Sequence, residues 1–142
     1  VDLYHRVEQV AYLVRFLILL LLIVAAIQDH KTREVSNWIS LPLFFAGMIC
    51  MVYQRDLLSL SLAVLVVFLW TEGWMGGADA KVLVGLLGIW YVAALASFFA
   101  VGVHGAILLL IKKKKKTFPA LVAIAVGTCL TFFGEISIMP LN

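Results

Sequence analysis

Two aspartates stand out by what surrounds them. Asp29 opens the polar segment Asp29-His30-Lys31-Thr32-Arg33-Glu34-Val35-Ser36-Asn37, directly after a run of mostly apolar residues. Asp79 follows a glycine pair in Trp74-Met75-Gly76-Gly77-Ala78-Asp79-Ala80-Lys81. Taken singly, the first segment reads as a polar loop that stops a membrane helix. The second reads as an interhelical turn in which Asp79 caps the next helix. Taken together, at one mouth of a helical bundle, two carboxylates suit acid–base hydrolysis of a peptide bond. One, ionised, takes a proton from water, and the other, protonated, polarises the scissile carbonyl. Neighbouring carboxylates resist double ionisation and share one proton. Gly76 and Gly77 permit φ > 0 and the close approach of another chain.

No rival nucleophile presents itself. There is no GxSxG, and no Ser, His and Asp set with a common locus. His104, between Gly102 and Gly105, reads as a polar residue of the bundle interior. His5 and His30 lack a second ligand at metal spacing, and neither a metal nor an organic cofactor is expected. Cys50 and Cys129 lie in apolar runs without CxxC spacing and read as small core hydrophobes.

The elements that must position the aspartates are membrane helices. Of 142 residues, 64% are apolar and 13% charged, about half the usual charged fraction. Mean hydropathy is +1.09. A soluble chain this small buries only about two-thirds of its surface and has nowhere to hide so much apolar area. The composition excludes a secreted disulfide scaffold, a disordered chain and a soluble multidomain enzyme. The expectation is a single domain over residues 1–142, an all-α polytopic bundle of about six transmembrane helices.

Charges divide the chain into apolar stretches at 9–28, 35–54, 57–71, 82–111 and 117–134. A spanning helix needs about 20 such residues. The first stretch is no cleavable signal peptide, for no small-residue cleavage site precedes Gln28-Asp29-His30-Lys31. The stretch 82–111 is long for one crossing and short for two. Excess Lys and Arg mark the cytoplasmic side. Two crossings put Lys31, Arg33, Lys81, Lys112, Lys113, Lys114, Lys115 and Lys116 on one side, against Arg6, Arg15 and Arg55 on the other. Six crossings follow, with both termini outside and a turn near Gly88-Ile89-Trp90-Tyr91 held at headgroup level by its aromatic pair. A single long tilted helix is the alternative. Trp38, Trp70 and Trp74 then line the inner interface, and Tyr4, Tyr12 and Tyr53 the outer one. Asp29, Glu34, Glu72 and Asp79 gather at the inner face. Asp2, Glu8, Asp56 and Glu135 lie outside.

Gly76-Gly77-Ala78-Asp79-Ala80-Lys81 resembles the GxGD signature of the type IV prepilin peptidases, archaeal preflagellin peptidases included. Asp29 with Arg33, Val35, Ser36 and Asn37 resembles that family's first aspartate motif. Phe118-Pro119-Ala120 is similar to its Pro-containing segment before the last span. The resemblance covers essentially the whole chain, with one departure, Ala78 at the third signature position. It implies a membrane aspartyl endopeptidase with Asp29 and Asp79 catalytic and with Gly76, Gly77 and Ala78 beside the substrate. The substrate implied is the basic leader peptide of a pilin-like or archaellin-like precursor, cut at the cytoplasmic face. The paired CxxC insertion and methyltransferase activity of bacterial bifunctional members have no counterpart here, so the resemblance implies peptidase activity alone. Helix ends then assign the base to Asp79, near a helix N-terminus, and the acid to Asp29, near a C-terminus, although the pair titrates as a unit. Glu34 and Glu72 read as solvated surface acids or as attractors of the leader. The five lysines at 112–116 suit anionic lipid, and nucleic-acid binding has no supporting aromatics. Two other readings are open. A signal-peptide-peptidase or presenilin-like protease shares the GxGD logic but carries more spans. A small transporter or scaffold subunit uses its aspartates for protons or cations, but places an ionisable group near mid-membrane.

Overall fold

The computed structural model describes residues 2–32, 37–111 and 120–138, which form six α-helices and, among themselves, no strand. They are α1 (Asp2–Thr32), α2 (Asn37–Gln54), α3 (Leu57–Thr71), α4 (Gly77–Ile89), α5 (Tyr91–Leu110) and α6 (Ala120–Ile138). Arg33, Glu34, Val35, Ser36, the lysine run 112–116, Phe118 and Pro119 lie outside the described residues.

In α1, Arg15, Ile18, Leu22, Ala25 and Asp29 recur at intervals of three and four and so share one face. Ile18, Leu22 and Ala25 on that stripe are buried, which turns Asp29 toward the bundle rather than the surroundings. After α2, Arg55 adopts φ 54° and reverses the chain within two residues. Asp56 caps α3 by accepting from the amides of Leu58 and Ser59 and from the Ser59 hydroxyl.

The short helix α4 is the centre of the molecule, and Val82, Leu83, Val84, Leu86 and Leu87 are all buried. It crosses α2 with backbones nearly touching. A β-carbon on Gly85 would lie 2.6 Å from the Leu43 carbonyl oxygen, and one on Gly88 would collide with the Gly47 carbonyl. Helices in lipid gain association from such small-residue approaches, because hydrophobic burial offers them little. The α5–α6 seam repeats the device where Gly127 meets the Ser97 backbone. There the Ser97 hydroxyl donates to the Ile124 carbonyl.

The stretch 82–111 is two helices, not one. The backbone breaks at Trp90 (φ −147°, ψ 77°) between Ile89 and Tyr91. Trp90 then reaches Glu135 while Ser97 reaches Ile124, so α5 runs antiparallel to α6. The turn falls where the sequence puts it, and Trp90 packs inward there. It is 2% exposed and folded into the bundle.

By length and composition, three helices among the described residues can cross a membrane: Leu3–Thr32, Asn37–Gln54 and Ala120–Ile138. The helices Leu57–Thr71 and Tyr91–Ile107 are apolar but shorter. At 1.5 Å per residue α4 is about 20 Å long, less than the roughly 30 Å of a hydrocarbon core. The outside of the bundle carries exposed Ile49, Val52, Val64, Phe68, Leu130 and Phe133. Such a surface suits lipid and would associate in water.

Candidate active site

Asp79 is the third residue of α4. The residue capping the helix is Gly76, so the expectation that Asp79 is itself the cap is corrected. Neither glycine of the pair needs φ > 0. Gly76 has φ −67°, and among the described glycines only Gly73, in the preceding turn, is left-handed. What the pair supplies is missing side chains. A β-carbon on Gly76 would stand 2.7 Å from Oδ2 of Asp79, and one on Gly77 would stand 3.1 Å from the Trp70 indole nitrogen. Gly76 is exposed, and Gly77 and Ala78 are half-buried beside it. The Asp79 carboxylate thus rests in the space that a side chain on Gly76 would fill.

Asp79 is only 8% exposed, whereas Asp29 is half-buried. Both lie just beyond the apolar stretches, Asp29 after Gln28 and Asp79 before Val82. Burial first, and the charge of Asp29 second, push the Asp79 carboxyl up to about 7. The structure therefore brings the two aspartates together at one end of the bundle. Burial thus pulls against the helix-end assignment of base to Asp79 and acid to Asp29. The α4 N-terminus does favour an ionised Asp79, but desolvation outweighs it, and near neutral pH Asp79 is the member that keeps a proton.

Two neighbours escape the sequence reading. Lys81 Nζ donates to Asn37 Oδ1 at 3.2 Å and ties the start of α4 to the start of α2. Trp70, at the end of α3, packs its indole on Gly77. Both are polar or aromatic residues at helix ends, where many roles look alike in sequence. Trp38, Trp70 and Trp74 all belong to this end of the bundle, and Glu72 closes α3 beside it. His104 is half-buried on α5. Cys50 and Cys129 are free thiols, half-buried. Among the described residues, no three His, Cys, Asp or Glu side chains cluster to hold a metal. An apolar cleft of about 350 Å³ opens along Asn37, Trp38, Leu41, Pro42 and Phe45, and another of about 470 Å³ runs between α1 and α6 to His30 and Lys31.

Residues 16–131 match the model of the type IV leader peptidase family. That span includes both aspartates and most of the chain. The chain belongs to the type IV leader peptidase family. No curated protein and no solved structure matches it. Membership makes the protein a membrane peptidase.

Proposed function

We propose that this protein is an aspartyl endopeptidase that removes the leader peptide from type IV pilin-like or archaellin-like precursors at the cytoplasmic face of the cell membrane. The observation that carries the reading is the buried Asp79, held protonated to about pH 7 by its burial and by Asp29.

The ionised Asp29 takes a proton from a water molecule, and the water oxygen attacks the scissile carbonyl carbon. The protonated Asp79 gives its proton to the carbonyl oxygen. The tetrahedral intermediate then collapses, the C–N bond breaks and the amine leaves with a proton from the pair. The products are a leader ending in a carboxylate and a mature chain with a new N-terminus. The segment Gly76, Gly77 and Ala78, bare of side chains but for the Ala78 methyl, flanks the extended substrate. Glu72, and Glu34 outside the described residues, offer negative charge to a basic leader. The apolar clefts beside the site suit the hydrophobic segment that follows the cut. The lysines at 112–116 hold their loop on anionic lipid, at about 1 kcal/mol each, and orient the bundle with both termini outside.

The test is direct. Purified protein in detergent is mixed with a precursor carrying a basic leader and an apolar helix, and the products are weighed by mass spectrometry. The reading expects one released leader and one shortened chain. An unchanged precursor alongside a folded protein would contradict it.

A further inference from the structure

The two aspartates ride on helices that share no extensive contact. α1 packs on α6, and α4 reaches α6 chiefly through α5. Something else must fix how far one slides along the other, since each residue of slip moves an aspartate by about 1.5 Å. Arg15 lies on the same face of α1 as Asp29, two heptads or about 21 Å earlier. Trp90 ends α4, eleven residues or about 16 Å beyond Asp79. The two meet at Glu135 of α6, at the opposite end of the bundle from the aspartates.

Each oxygen of the Glu135 carboxylate has its own helix. Oε2 accepts from Arg15 Nη1 at 2.7 Å, and Oε1 accepts from Trp90 Nε1 at 2.9 Å. The guanidinium lies 5.4 Å from the centroid of the Trp90 ring, and Phe132 meets that ring edge-on at 6.2 Å. This is the single ion pair among the described residues, and its side chains are 31% and 24% exposed. Half-buried between three helices, the two charges and the indole hold each other in place.

We propose that Arg15, Glu135 and Trp90 are positioning residues that set the axial register of Asp29 against Asp79. The proposal rests on the reading of those aspartates as the catalytic pair. Arg15 and Glu135 fall outside the matched residues 16–131, so the clamp is not contained in the family match.

The test is steady-state processing of precursor by purified protein in lipid nanodiscs. Glu135→Gln keeps an acceptor for Trp90 but removes the charge facing Arg15. Trp90→Phe removes the indole donor and keeps a ring. Each is expected to lower kcat about tenfold to a hundredfold, as sub-ångström to ångström misplacement does, with KM changed less than about twofold. The alkaline limb of the pH profile should move to lower pH, because a displaced Asp29 no longer helps Asp79 keep its proton. Among the described residues, the titratable groups at the ends of α1, α3 and α4 that face the pair, His30, Lys31, Glu72 and Lys81, are untouched by these substitutions. Arg15→Lys, which keeps the charge, should recover most of the rate. A merely structural tie would lower thermal stability and leave the limb where it is. Trp90→Phe that folds and retains wild-type kcat with an unmoved limb overturns the proposal, whatever becomes of Glu135→Gln. If Asp29→Asn and Asp79→Asn are inactive in the same assay, that result removes the clamp alone. If they are active, the catalytic reading itself falls.

Discussion

Gly76 is legible in the sequence as one of a suggestive glycine pair, but its reason is not. Backbone freedom is the usual motive for glycine, yet here an ordinary φ goes with a carboxylate that fills the space of the missing side chain. Gly76→Ala is therefore expected to push the Asp79 carboxyl aside and slow processing about tenfold or more. Its melting temperature should stay near wild type, because Gly76 is exposed. Processing rate and thermal melt, read together, check this. The proton on Asp79 makes a second prediction. Its folded value of about 7 lies above the ordinary 3.8, so between those values the folded state binds a proton that the unfolded chain releases. Stability from this source is full below about pH 4, declines as pH rises and is lost above about 7. Processing should fall on the alkaline side of about 7 for the same reason. Asp79→Asn should flatten the stability profile over that window, and a melt series from pH 4 to 8 decides it. The burial of Asp79 is not legible, because burial is a tertiary property, invisible to a reading of helix termini.

The helices were legible to different degrees. The α1 stripe is not legible, because apolar residues surround the helix and only packing separates buried Ile18, Leu22 and Ala25 from exposed Leu17, Leu21 and Val24. The break in 82–111 follows from charge distribution, since one crossing would strand five lysines opposite Lys31. The clamp is not legible. Arg15 and Glu135 stand 120 residues apart, and Arg15 reads as a stray charge in an apolar run. The α2–α4 crossing is hidden as well, for Gly47, Gly85 and Gly88 look like any membrane glycines until their helices meet. Placing a methyl group there forces backbones apart. Gly47→Ala and Gly88→Ala should each destabilise the bundle by about 1–3 kcal/mol or more. Gly102→Ala and Gly105→Ala, with nothing within 4 Å of the added carbon, should be tolerated. Monodispersity and melting temperature in detergent distinguish the two pairs.

For the molecule as a membrane-embedded body, the orientation rests on where positive charge lies. In a chain with Cys50 and Cys129 replaced by alanine, Arg55→Cys is expected to react with an impermeant thiol reagent only from outside, and Lys114→Cys only from the cytoplasm. Labelling of both from one side would break the six-helix topology, and labelling of each from the opposite side would invert it. The central claim is that Asp29 and Asp79 act as one unit across two helices that scarcely touch. The decisive comparison is the precursor-processing rate of Asp29→Asn, Asp79→Asn and the double variant, all shown to be folded and inserted. If the pair acts as one unit, each single variant loses about 10²–10⁴ in rate, and the double variant loses little more, because either substitution removes the same step. A folded single variant that processes precursor at near wild-type rate, or losses that multiply in the double variant, would contradict that claim.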